Sequence, residues 1–203
     1  MKIYETKTAP NPRRVRIFLA EKGITVPFEQ VEFTDTALKS AEFSKLNPLQ
    51  RVPVLVLDDG TAISESVAIC RYFEELHPEP ALFGKGAKER AEVEMWQRRM
   101  EMHLLFPIAQ AFRHAHPAMA KFEVPQVPAW AEANKPRALE GLGILDRQLA
   151  GRPFVAGPTY TIADITALCA VDFMRPARIQ LPPEMTNIAR WHAEVSARPS
   201  AKA

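Results

Sequence analysis

Twenty residues, Asn47 to Ser66 (NPLQRVPVLVLDDGTAISES), constrain this chain more than any others. Pro53 stands at the head of the strand-like run Val54-Leu55-Val56-Leu57. Proline has no N–H for a sheet ladder, so it belongs at the first residue of a strand or on an edge. Asp58-Asp59-Gly60 then reads as a tight hairpin turn, since aspartate and glycine tolerate positive φ. A return strand, Thr61 to Ile63, runs into Ser64-Glu65-Ser66 and the apolar periodicity of Val67 to Phe73. Ser64, or the pair Glu65-Ser66, is placed to cap that helix, whose first amides favour an anion. A blocked strand start beside a helix N-terminus suits a peptide-like ligand carrying a carboxylate. Taken singly, Val-Pro-Val is an ordinary strand beginning and Ser-Glu-Ser an ordinary cap.

The 203 residues suffice for one large domain or two small ones. Apolar content of 47% with 25% charge places the chain among ordinary globular proteins, and a net charge of +2 gives no basic field suited to nucleic acid. Cys70 and Cys169 each lie within an apolar helical pattern and read as small buried hydrophobes. Met1-Lys2-Ile3-Tyr4 enters a strand directly, without a signal-peptide layout, and no apolar run spans a membrane, which points to the cytoplasm.

In chain order, Lys2 to Thr6 alternates as a first strand, and Lys7 to Pro12 turns, with Pro12 suited to open a helix. Arg13 to Lys22 follows with Val15, Phe18 and Leu19 on one face, stopped by Gly23. Phe28 to Phe33 predicts a second strand, parallel to the first because a helix intervenes. Thr36 to Leu46 predicts one helix, closed by Asn47-Pro48. The order strand, helix, strand, helix, strand, strand, helix describes a small thioredoxin-like α/β domain over residues 1–80, whose first turn lies at the edge where such sheets bind ligands.

His77 to Gly86 reads as a linker. Residues 87–203 show no convincing strand and predict an all-helical domain. Ala87 to His116 forms one long pattern in which Pro107 cannot donate to the carbonyl of His103, so a kink is expected there. Three prolines mark Pro117 to Pro128 as a loop. Ala129 to Leu149 is a helix with Pro136 as a place for a bend. Thr161-Ile162-Ala163-Asp164 has the spacing of a capping box, with Tyr160 and Ile165 as its staple, and it opens a buried helix towards Met174. Thr186 to Ala197 supplies the last helix, and Trp96, Trp130 and Trp191 read as core.

Together, and in this order, the Val52-Pro53-Val54 and Glu65-Ser66 motifs resemble the glutathione-binding half of a glutathione transferase. Arg14 to Gly23 is similar to the family's first helix, and the Thr161 box to a marker of its C-terminal domain, so the likeness covers roughly residues 1–200. The resemblance implies that a cis Val52–Pro53 pair offers backbone bonds to the cysteinyl part of glutathione. It assigns the γ-glutamyl end to Glu65 and Ser66, and it leaves Lys39 and Arg51 as partners for the glycyl carboxylate. It also implies a homodimer, a role in detoxification, small hydrophobic electrophiles as co-substrates, and no metal.

The departure lies in the catalytic turn. Where the family's Ser/Thr-Pro turns carry a hydroxyl, this chain has Ala9, followed by Pro10 and Asn11. The turn resembles that of a bacterial and fungal subgroup lacking the usual tyrosine, serine or cysteine. Asn11 is one candidate for activating the sulfur, with the amides of Asn11, Arg13 and Arg14. The second domain offers Phe106, Ala109 and Arg113 at helical spacing, with Arg113 as a permanent cation. His103, His114 and His116 read more simply as solvated or capping side chains. Ala9, Pro10, Phe106, Ala109 and Phe112 are expected to line the co-substrate pocket, although the helical ones fit a plain core equally well. The reaction expected is attack of glutathione thiolate on a small electrophile. Disulfide or peroxide reduction, and glutathione binding with little turnover, are the alternatives.

Overall fold

The computed structural model describes residues 1–203, apart from the side chain of Asp35. The chain divides into two compact units, Met1–Pro80 with Lys202–Ala203, and Ala81–Ala201.

The first unit is a four-stranded mixed sheet with helices. Strand β1 (Lys2–Glu5) pairs in parallel with β2 (Phe28–Gln30) and antiparallel with β3 (Val54–Val56), which pairs antiparallel with β4 (Ala62–Ser64). The order across the sheet is β2-β1-β3-β4. Helix α1 (Pro10–Glu21) makes the crossover that lets β2 run parallel to β1. It starts earlier than expected, because Pro10 rather than Pro12 takes the first helical position. Gly60, at φ +86°, closes the hairpin, and Asp59 Oδ1 accepts from the Thr61 amide at 2.8 Å.

The segment expected as one helix over Thr36 to Leu46 is two: α2 (Asp35–Leu38) and α3 (Ala41–Leu46). Ser40 separates them, since its hydroxyl accepts from the Phe43 amide at 3.1 Å and caps α3. Helix α4 (Ser66–Leu76) packs on α1, and its Ile69, Cys70 and Phe73 are buried. Lys22, just past α1, pairs with Glu74 at 2.6 Å and donates to the carbonyls of His77 and Pro80. It thereby fastens the C-terminal ends of α1 and α4 together.

The second unit is helical, with an isolated bridge between Phe154 and Gly157. Its helices are α5 (Gly86–Met100), α6 (Phe106–Arg113), α7 (Pro128–Leu149), α8 (Ile162–Asp172) and α9 (Thr186–Ser196). A π-helical segment, Glu101–Leu105, joins α5 to α6 where a kink was expected. Pro107 lacks the N–H that a continuous α-helix needs there, and the ladder widens instead, the Phe106 amide reaching Glu101. Gly141 of α7 accommodates that segment, since a Cβ on it would lie 2.1 Å from the His103 carbonyl oxygen. Pro136 lies within α7, which runs on past it.

Helix α8 is buried from Ile162 to Ala170 and forms the centre of the unit. Thr166 donates to Gln97 of α5 at 2.5 Å. Asp164 gathers four donors: Oδ2 accepts from the Thr161 amide and hydroxyl, and Oδ1 from the Val155 amide and from Nε1 of Trp191. Trp96 and Trp191 are core as expected, but Trp130 is half-buried, with Nε1 on Gln110 and the Arg137 guanidinium 5.0 Å from its ring centroid. Its indole ties α7 to α6 rather than filling the interior.

Candidate functional site

In the first unit, the end of α3 prepares the approach to Val52–Pro53. Asn47, buried and C-capping α3, accepts from the Leu49 amide at 3.0 Å and donates to the Arg51 carbonyl at 2.8 Å. One amide side chain thus holds both ends of the loop Pro48 to Arg51, and the Val52–Pro53 peptide that follows is cis. Val52 is half-buried and Pro53 buried, directly ahead of β3. Lys39, between α2 and α3, and Arg51 are both exposed.

Glu65 and Ser66 differ from the capping expectation. Glu65 takes the N-cap position with φ +69°, and no side chain caps α4. Ser66 is buried, and its Oγ accepts from Nη1 of Arg14 at 3.1 Å. The first turn of α4 therefore keeps its amides clear of side-chain caps, beside a hydroxyl backed by a guanidinium. The expectation for Arg14 concerns its backbone amide, and its side chain is the candidate group that sequence reasoning misses. Its signal in the sequence is an arginine on the same stripe as Ile17 and Phe18, where α1 calls for an apolar side chain.

At the β1–α1 turn, Ala9 is half-buried and N-caps α1 without a side-chain bond, Pro10 is half-buried, and Asn11 is exposed. The Arg13 amide, expected to be free, donates to the Ala9 carbonyl at 3.3 Å. The Arg14 amide lies one turn inside α1, and Pro10 and Pro12 carry no N–H, so of the expected donors Asn11 keeps its amide at the turn.

In the second unit, Arg113 is not an isolated cation. Its Nε lies 2.5 Å from Glu123 Oε2, and His114 Nε2 lies 3.7 Å from the other carboxylate oxygen. His114 Nδ1 accepts from the Val127 amide and His116 Nδ1 from the Ala118 amide, both ordinary loop-fastening roles. His103 is exposed. Phe112 stacks on His116 at 4.6 Å and meets Phe173 edge-on at 5.0 Å. Phe106 is half exposed and Ala109 half-buried. A cavity of about 500 Å³ in this unit takes its lining from Arg98, Met102, Phe106, Pro107, Arg137 and Ile144, among others. Phe106 borders it, whereas Ala109 and Phe112 do not.

The families described as glutathione S-transferase, N-terminal domain, and glutathione S-transferase, C-terminal domain, match residues 8–76 and 98–199. Glutathione S-transferase 2 of Saccharomyces cerevisiae is 37% identical over 205 residues, covering 100% of this chain and 88% of the yeast protein. The crystal structure of yeast Gtt2 superposes with a TM-score of 0.95 at 37% identity, covering 100% of this chain and 99% of the yeast one. A glutathione S-transferase domain-containing protein from Marinobacter aquaeolei VT8 gives the same TM-score at 39% identity, over 98% of this chain and 99% of its own. The four-stranded unit is accordingly thioredoxin-like, and the helical unit is the family's C-terminal domain. The chain belongs to the glutathione S-transferase family.

Proposed function

We propose that this protein is a glutathione transferase that presents the thiolate of glutathione to small hydrophobic electrophiles. The observation that carries the reading is the arrangement in the first unit. A cis Val52–Pro53 pair stands before β3, and an uncapped α4 N-terminus carries a hydroxyl supported by a buried arginine. Val52 would offer its backbone to the cysteinyl part of the tripeptide. Glu65 and Ser66 take the γ-glutamyl amine and carboxylate, and Lys39 and Arg51 take the glycyl carboxylate. The yeast relative, similar over the whole chain, supports the activity.

The physical task is thiol activation. A free thiol with pKa about 8.5 is only a few per cent ionised at neutral pH. Lowering it by about two units takes about 2.7 kcal/mol of differential stabilisation. Asn11 is the proposed partner of the sulfur in the first unit, and Arg113 the proposed contributor from the second, its charge tempered by Glu123. Ala9, Pro10, Phe106, Ala109 and Phe112 are the proposed lining for the electrophile. The family resemblance further supports a cytoplasmic homodimer with a detoxifying role.

Turnover of a chromogenic aryl halide with glutathione, measured beside calorimetric affinity for glutathione, tests the reading. Binding with turnover supports it. Binding without turnover leaves a glutathione-binding protein, and absence of binding overturns both.

A further inference from the structure

Alternation along β1 places Ile3 and Glu5 on its buried side, Ile3 at 0% and Glu5 at 2% exposure. The pleat reserves that side for apolar residues. A carboxylate there is costly unless it is paired and fully hydrogen-bonded. Both oxygens of Glu5 are engaged: Oε1 accepts from Gln30 Nε2 at 2.6 Å, and Oε2 pairs with Arg16 Nη1.

The same two partners then reach a single residue of the β1–α1 turn. Arg16 Nη2 donates to the Lys7 carbonyl at 2.9 Å, and the Lys7 amide donates to Gln30 Oε1 at 3.2 Å. The assignment is self-consistent, because the Gln30 oxygen must accept from a peptide N–H while its nitrogen must donate to a carboxylate. Lys7 is the second residue of a tight turn closed by the Ala9 amide on the Thr6 carbonyl at 3.0 Å. The Thr6 hydroxyl is itself tied to the Val31 carbonyl at 2.8 Å. A network that served the sheet alone would link strand to strand. This one starts from a buried carboxylate and ends on both polar backbone groups of a turn residue, two positions before Ala9.

We propose that Glu5, Arg16 and Gln30 are positioning residues that hold the turn Lys7 to Asn11 in the geometry required to ionise the glutathione sulfur. This rests on the glutathione transferase reading. A turn without a side-chain hydroxyl at position 9 depends on where its backbone and the Asn11 amide point. A displacement of about 1 Å in a positioning group can cost a reaction about 100-fold. Rigidity of the turn is therefore what the buried charge cluster supplies.

Glu5→Gln would leave the largely buried Arg16 guanidinium uncompensated and is expected to impair folding. Gln30→Glu is the informative variant. Position 30 is exposed, and the new carboxylate still accepts from the Lys7 amide. It can no longer donate to Glu5 and sets two like charges side by side. With the full-length variant, glutathione affinity is expected to stay within about twofold of wild type, while kcat at neutral pH falls about fivefold and recovers at higher pH. The thiolate absorbance of bound glutathione should titrate at higher pH, and exchange of the Lys7 amide should quicken about tenfold. Gln30→Ala should shift the same readouts in the same direction. Unchanged thiol titration in a variant that binds glutathione overturns the proposal, and so does unchanged Lys7 exchange. A wild-type protein that binds no glutathione defeats the transferase reading itself, which is a distinguishable result.

Discussion

Arg14 and Ser66 stand 52 positions apart in sequence and meet through one buried hydrogen bond, Nη1 to Oγ at 3.1 Å. The bond uses a lone pair of the hydroxyl and leaves its proton to donate elsewhere. It also puts a permanent cation under the first turn of α4, where the helix dipole already favours an anion. A serine on this turn backed by a guanidinium suits the proposed carboxylate better than the expected simple cap does.

Ser66→Ala is therefore expected to weaken glutathione binding by about 1–3 kcal/mol, as a charge-assisted bond is lost. Arg14→Met, which approximates the aliphatic stem while removing the charge, should weaken it in the same direction. The two changes should couple by about 0.5–3 kcal/mol in the double variant, since they act through one contact. Calorimetry on the four proteins reads this directly, and undiminished affinity in Ser66→Ala rules out the placement of the γ-glutamyl end.

Much of the first unit was legible because its signals are local. Pro53, the Asp-Asp-Gly turn and Gly23 punctuate the chain whatever lies around them. The helix split at Ser40 was not legible, because a serine inside an apolar pattern reads as an interior residue until its hydroxyl is seen on the Phe43 amide. The π segment was half legible: Pro107 announced a defect, but its form depends on how closely Gly141 lets α7 approach. The buried charges Arg14 and Glu5 were the largest omissions. Each breaks an apolar periodicity at a single position, and a periodicity averaged over a whole element conceals such a break. Arg113 reads as a permanent cation, and nothing in the sequence shows that Glu123, ten residues on, folds back to pair with it.

Asp164 makes a prediction with an unusual sign. Burial pushes its carboxyl from 3.8 up to about 6, against the opposing bonds from Val155, Trp191 and Thr161. The folded state thus binds more protons than the unfolded one between those values, and the contribution to stability falls as pH rises from about 4 to about 6. Most structural carboxylates behave in the opposite way. Asp164→Asn should be less stable than wild type throughout, because its amide points a donor at other donors. The gap between the two should be larger at pH 4.5 than at pH 7.5, as measured by urea unfolding at both. A gap that widens with pH would mean that the four donors outweigh burial.

Gly141→Ala should be destructive out of proportion to one methyl group. The new Cβ would lie 2.1 Å from the His103 carbonyl oxygen and 2.9 Å from its carbon. Both are backbone atoms of the π segment, so no side-chain rotation relieves the clash. Overpacking of this kind costs about 1–3 kcal/mol or more. Thermal unfolding should show a clear drop in Tm, whereas Gly143→Ala, which meets only the far end of Arg147 at 3.4 Å, should be nearly neutral. Equal effects at the two positions would contradict the close approach of α7 to that segment.

The last prediction concerns how a sulfur is ionised beside an alanine. Arg13 spends its amide on Ala9, and Pro10 and Pro12 have none, so the Asn11 backbone and side-chain amides remain at this turn. A helix N-terminus contributes about 0.3–1 kcal/mol. One neutral hydrogen bond contributes about 1 kcal/mol more. Together they fall short of the roughly 2.7 kcal/mol that a two-unit shift requires. The enzyme should accordingly be a modest transferase whose bound thiol titrates higher than in tyrosine- or serine-type members. Asn11→Ala should lower turnover clearly while leaving glutathione affinity nearly intact, because the proposed sites for the two ends of the tripeptide lie elsewhere. Ala9→Ser should raise conjugating activity if the turn already has the geometry for a hydroxyl. The pH–rate profiles of the two variants decide the matter. If Asn11→Ala turns over like wild type with the same apparent pKa, the sulfur takes its partner from the helical domain, and Arg113 becomes the residue to replace next.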